Sequence, residues 1–431
     1  MNKREFLALT GAVPLMLAGC GGSDAGAASV RLVNASVGYP AGLGFMDDSV
    51  QAVTGIDYGQ CSAFVGVKAG AEPIAVTVTS GGTTASVQTS MRTLDKDARY
   101  SLIAYGFANE LRTLPMLENT TPPDSGYAKI SVLNTSVDIG PVDVYISPGP
   151  SLALDDAIAT GVSGLVQGSF ASVAAGSYYI TVVGANSVSK DISDVRFQSS
   201  AAVTVVDQQI LTIILTPGAS GVLANAIFLT QGTGASTGTV PEQNTTYRLR
   251  VFANTGDATA VTVGGVLAGE ASPARSEYTV LQAGGTPSVS VTGTANAGAI
   301  AVVGAAPQPG SDYTLLIRAD PGGNAIAELL LDDNTAPVSS NGVKFRLINL
   351  DPDAATVSMT VNGASTGTNV AYGSAGAYAE VPTSASIASV VNVSAQAQVL
   401  ASHEQVLAAG NIFTEVLIGT NADFFVTAAV S

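Results

Sequence analysis

Tryptophan is absent from the 431 residues, histidine occurs once and cysteine twice. One His and two Cys cannot assemble the ligand sets of ordinary zinc sites. They also limit acid–base chemistry by imidazole to a single group, His403. Charge is sparse, at 12% of residues. That is about half the usual ~25%, and too little for a coiled-coil or long-helix protein. Positive charge is scarcer still: 17 Lys and Arg stand against 33 Asp and Glu, giving −16. A chain so acidic repels phosphate backbones, which argues against a nucleic-acid partner. No phosphate-cradling glycine motif occurs between a strand and a helix. The hydrophobic fraction of 46% is that of a globular chain, and the length suggests two to four domains.

The first nineteen residues read as a processing segment. Lys3 and Arg4 make a positive start, and Leu7 to Ala18 is an apolar run too short to span a bilayer. Leu17-Ala18-Gly19-Cys20 then resembles the lipobox of bacterial lipoproteins. That resemblance implies cleavage before Cys20, lipidation of Cys20, and membrane attachment through it. Several acyl chains anchor stably where one does not. Gly21, where an Asp would signal inner-membrane retention, favours the outer membrane. Lys3-Arg4-Glu5-Phe6-Leu7 is similar to a twin-arginine export motif, with Lys3 in place of the first arginine. Residues 20–29 are small and polar, a tether reaching ~17 Å. With Cys20 lipidated, Cys61 has no intramolecular partner, so stability must come from buried cores.

Beyond the leader, β-branched runs recur every ten to fifteen residues between clusters of Gly, Pro, Asn and Asp, with no sustained helical period. Strands are expected at Ile74–Thr79, Val142–Ile146, Tyr178–Val183, Val203–Val206, Ile210–Leu215, Ser288–Thr292, Val357–Val361 and Ile412–Ile418. Asn362-Gly363 signals a two-residue hairpin, because both positions need positive φ. The chain also repeats itself. Val30-Arg31-Leu32-Val33-Asn34 corresponds to Ile130-Ser131-Val132-Leu133-Asn134 and to Phe345-Arg346-Leu347-Ile348-Asn349. Tyr247 to Phe252 is a weaker copy. The twelve residues Ile56–Val67 align without a gap on Val370–Val381, which sets Cys61 against Ala375. Glu118-Asn119-Thr120-Thr121-Pro122 corresponds to Asp333-Asn334-Thr335-Ala336-Pro337.

These blocks resemble domain of unknown function 4397, a family repeated on bacterial surface proteins and lipoproteins. The opening strand and Asp/Pro turn appear in Leu347 to Ala355, a second strand in Pro141 to Ile146, and a Gly-rich turn in Ala174 to Tyr179. The resemblance covers most of residues 30–430. It implies extracellular β-sandwiches and no established activity, so it carries no catalytic residues.

The expected fold is therefore all-β: tandem immunoglobulin-like antiparallel β-sandwich modules after a signal peptide. The divisions are 1–19 (leader), 20–29 (tether), 30–122, 127–230, 231–243 (a Gly/Thr/Ser linker and hinge), 244–337 and 342–431. Candidate chemistry is thin. G-x-S-x-G occurs at Gly234–Gly238 and at Gly363–Gly367, without the strand-to-helix setting of a nucleophile elbow. An enzyme would need His403 near Ser365 or Cys61. Calcium is the one cofactor the acidic pairs Asp47-Asp48, Asp155-Asp156, Asp332-Asp333 and Asp351/Asp353 could serve. A glycan reading would need exposed tyrosines grouped on one face. The expectation is a non-catalytic, lipid-anchored envelope protein that is structural, adhesive or ligand-presenting, with envelope proteins or glycans as partners. A carbohydrate-binding protein is the alternative.

Overall fold

The computed structural model describes residues 26–428 except 49, 81, 108–110, 150–156, 186–193, 219–221, 233–236, 256–259, 265, 271–273, 293–297, 336, 338, 340, 367–368, 383–387, 397 and 419–420. The leader and Cys20 lie outside the described residues. Among those described, the chain is all-β, with one short 3-10 turn at Val137–Ile139. Eight sheets form several β domains. Sheets pack face to face in twos around four separate hydrophobic cores.

Unit one shows the plan. Its first sheet runs, in order, Val65–Lys68, Ala27–Ala35, Arg99–Tyr105 and Arg112–Leu117. Its second runs Val50–Ile56, Leu43–Asp47, Gly70–Ser80 and Thr83–Leu94. The opening strand Ala27–Ala35 pairs parallel with the returning strand Arg99–Tyr105, setting Leu32 opposite Leu102. A parallel neighbour needs a long crossover, and building the second sheet supplies it. The same parallel pairing joins Tyr127–Asn134 to Ile210–Pro217, Thr246–Asn254 to Asp312–Ala319, and Gly342–Asn349 to Ile412–Ile418. The expected antiparallel sheets are corrected by this: the first sheet of each unit is mixed.

The parallel pairs explain why the opening blocks are apolar nearly throughout rather than alternating. Parallel strands are typically covered on both faces. Val30 and Leu32 enter the core of unit one, whereas Val33 and Ala35 enter a second cluster with Ile103, Met116, Leu133, Ile214 and Leu229. That cluster joins unit one to unit two. Phe252, Leu316, Ile348, Leu350 and Val416 likewise join unit three to unit four. The units are packed in twos, back to back.

The segment 231–243 is held at its described positions. Gln231 is buried. Val240–Glu242 adds a strand to the first sheet of unit two. Gln60 Nε2 donates to the Thr239 carbonyl at 3.0 Å. Asn362-Gly363 forms the expected hairpin, with φ of 51° and 79° and Val361 opposite Ala364.

Candidate functional site

A few of the charged residues are buried on the paired faces. In unit one, strand alternation turns Arg31 away from the core that Val30 and Leu32 fill, toward unit two. Its Nε donates to Ser101 Oγ at 2.9 Å. Its Nη2 lies 2.5 Å from Glu118 Oε1, with side-chain exposures of 1% and 0%. The same nitrogen donates to the Thr230 carbonyl of unit two at 2.7 Å. Ser101 Oγ donates to Glu118 Oε1 at 2.6 Å. Unit three repeats this triad. Arg250 Nε donates to Thr314 Oγ1 at 2.8 Å, Thr314 Oγ1 donates to Asp332 Oδ2 at 2.6 Å, and Arg250 Nη2 lies 3.6 Å from Asp332.

The partner units answer differently. In unit two the corresponding positions are neutral: Ser131 and Thr212 share a hydrogen bond of 2.9 Å, and Gln231 Nε2 donates to Thr212. In unit four the position of Ser131 is Arg346, whose Nη1 lies 2.5 Å from Asp332 Oδ1. Arg250 in turn donates to Thr414 Oγ1 of unit four at 2.8 Å. Asp332 therefore neutralises arginines from two units at once.

Each unit places an aromatic ring against these cations. Phe64 carries Arg31 at 4.8 Å and Arg99 at 4.0 Å from its ring centre. Lys129 sits 5.3 Å from Phe170. Arg248 and Arg250 sit 4.4 and 4.8 Å from Tyr278. Lys344 and Arg346 sit 5.8 and 5.1 Å from Tyr378. Such contacts strengthen when water is excluded. Phe64 and Tyr378 fall opposite each other in the twelve-residue alignment, so the aromatic was visible in the sequence. Its cation was not, because the basic residue sits some thirty positions earlier on the opening strand.

Burial raises Tyr278 well above the ordinary tyrosine range, with Asp332 and Asp312 adding to the effect. The Tyr278 hydroxyl donates to Asp332 Oδ2 at 2.5 Å. Burial, with Asp332 beside it, pushes Tyr378 up to about 12. For Arg248, burial opposes the charge, but Asp312 at 2.6 Å more than restores it and the group stays above its usual range. General acid–base catalysis wants groups poised near the working pH. These are driven away from it. The cluster fixes charge and joins units.

An asparagine closes each opening strand in units one, two and four. Asn34 Oδ1 accepts the Ser36 N–H and its amide donates to Tyr39 and Ile56 carbonyls. Asn134 Oδ1 accepts from Ser136 N–H, and Asn349 Oδ1 from Asp351 N–H. The carbonyl of each accepts the N–H of a residue with positive φ: Gly59 (74°), Leu165 (65°) and Gly373 (73°). The repeated Asn was legible in the sequence; its bonding was not.

The residues singled out for chemistry are not brought together. Cys61 is buried in the cluster between units one and two, facing Val33 as Ala375 faces Ile348. Ser365 is exposed on a strand three positions across its sheet from the strand of His403, roughly 14 Å away by strand spacing. Residues 234–236 and Asp155-Asp156 lie outside the described residues. His403 Nε2 lies 3.8 Å from Glu415 Oε2, a side chain with 0% exposure, and burial lowers the His403 pKa. Sequence reading passed over Glu415. The parallel registers place Leu102, Ile213 and Leu315 at its position in the other units.

Two of the acidic pairs are engaged within the protein. Asp332 is engaged as above, Asp333 Oδ2 lies 2.9 Å from Lys344 Nζ, and Asp351 Oδ1 accepts the Asp353 N–H. Among the described residues no group of three or more His, Cys, Asp or Glu is arranged to hold a metal ion. Tyr127, at 47%, is the most exposed of the thirteen tyrosines. An open groove of about 650 Å³ lies between units two and three, lined by Pro241, Glu242, Gly284, Gly285, Pro307 and Pro309 among others.

Residues 24–145 match the family described as Domain of unknown function (DUF4397). The match takes in unit one, the first strand of unit two and part of the second; residues 146–431 lie outside it. A structure from Bacteroides uniformis, described as a "putative cell adhesion protein", aligns at 11% identity and a TM-score of 0.22, over 48% of this chain and 98% of that one. The Bacillus anthracis TIE protein aligns at 11% identity and a TM-score of 0.15, over 90% of this chain and 68% of that one. No curated protein matches the chain.

Proposed function

We propose that the protein is a non-catalytic envelope scaffold, lipid-anchored through Cys20, whose four immunoglobulin-like units are repeats of one family and present their outer loops to a partner. The observation that carries this reading is where the charge goes. Arg31 pairs with Glu118 on one paired face, and on the other Arg346 pairs with Asp332, which Arg250 reaches through Thr314. The leader, with Lys3, Arg4 and Leu17-Ala18-Gly19-Cys20, supports attachment to a membrane, and Gly21 supports the outer one. Cys20→Ala tests the anchor: fractionated cells should hold the variant in soluble or unprocessed form. Undiminished recovery of mature variant in the membrane fraction would refute it. A pull-down from intact envelope with the mature chain tests the presenting role, with one recurrent envelope component as the expected result.

A further inference from the structure

The face that joins unit one to unit two is laid out with approximate two-fold symmetry. Glu118 and Gln231 occupy matching places, each just past the end of the last long strand of its unit. Gln231 Oε1 accepts the Asn119 N–H at 2.7 Å, and Glu118 Oε2 accepts the Gly232 N–H at 3.3 Å. Each unit thus receives from the other what it gives. The second pair keeps the layout with the polarity reversed: Arg31 of unit one reaches the Thr230 carbonyl of unit two, while Arg346 of unit four reaches the Leu331 carbonyl of unit three at 3.3 Å. A face that joins two units of one chain can equally join the same units of two chains, and exchange of an identical element between copies is a low-cost route to dimers.

The connector from unit one to unit two bears on this. It runs from Asn119 through Thr120, Thr121, Pro122, Pro123, Asp124 and Ser125 to Gly126. Two adjacent prolines favour an extended, semi-rigid segment, with a rise of about 3.1 Å per residue. The connector is therefore stiff where the chain must turn back on itself. Eight residues so extended reach roughly 25 Å, ample to carry unit two onto another molecule.

We propose that the paired face is also a homotypic binding surface: two copies of this chain exchange units, unit one of each seating on unit two of the other through the contacts of Arg31 with Thr230, Glu118 with Gly232 and Gln231 with Asn119. The exchanged dimer has the contacts of the monomer and differs only in the connector. Its formation requires the pair to open, so it depends on concentration during folding and not on simple mixing.

The test uses the mature chain in two versions with different affinity tags. They are unfolded and refolded together over a range of concentrations, or folded separately and then mixed. Light scattering on the eluted species should show a dimer fraction rising at least several-fold with refolding concentration. Mixed-tag dimers should appear only after joint refolding. Replacing both prolines with glycine (P122G, P123G) should lower the dimer fraction several-fold while the monomer keeps its thermal transition. A monomer at every refolding concentration would overturn the proposal. So would mixed-tag dimers formed from already folded chains, which would point to ordinary surface association.

Discussion

At the scale of single residues, the buried Arg31–Glu118 pair should dominate the first half of the molecule. Removing one partner strands the other charge out of water, which costs about 3–5 kcal/mol. Glu118→Ala should lower the urea midpoint accordingly. Lys68→Ala is the contrast. Lys68 pairs with Glu72 at 2.6 Å, but its side chain is 60% exposed, and such solvent-screened pairs contribute little. Equal effects of the two substitutions would contradict the assignment. The tyrosines make a separate test. The folded-state values of Tyr278 and Tyr378 are raised above the unfolded value near 10, so the stability they contribute is complete below pH 10 and lost as pH climbs through their folded values. For Tyr378, a shift from 10 to about 12 amounts to roughly 2–3 kcal/mol. Tyrosinate absorbance should therefore show a late class that titrates together with unfolding. Tyr278→Phe should lower the stability of the second half at neutral pH, because Asp332 then lacks its hydroxyl donor, and should weaken its further loss above pH 10, because the titrating hydroxyl is gone.

Among elements, the returning strands carry the most information. Ile412–Ile418 has the limits expected from sequence, and Val142–Ile146 and Ile210–Leu215 lie inside the observed Val142–Ser147 and Ile210–Pro217. These strands were legible because β-branched runs between turn residues leave little else to form. Their parallel pairing was not, since an apolar run shows that both faces are covered without showing by what. Alternation alone suggested one buried face, and the second belongs to another unit far along the chain. Glu415 marks the same gap. In Ile412–Ile418 it stands where Leu102, Ile213 and Leu315 stand in the sister strands. Burying a carboxylate is costly, and His403, whose pKa burial lowers, faces this one from 3.8 Å with 27% of its own side chain exposed. Glu415→Leu is accordingly expected to raise the melting temperature of unit four, and a clear fall would mean that the His403 contact outweighs its desolvation.

For the whole molecule, pairing replaces the string of separate beads that four copies first suggest. The similar blocks Val30–Asn34 and Phe345–Asn349 both lie on strands that pair in parallel with a later strand. The pairing of units could not be read from them, because Arg31 and Thr230, or Arg346 and Asp332, announce no contact in sequence. Two shared clusters, one joining units one and two and one joining three and four, should make each pair a single cooperative block. Hydrogen exchange followed by mass spectrometry across a urea series tests this most directly. The opening and returning strands of units one and two should lose protection together, and those of three and four together at a second midpoint. Four separate midpoints, one per unit, would contradict the account.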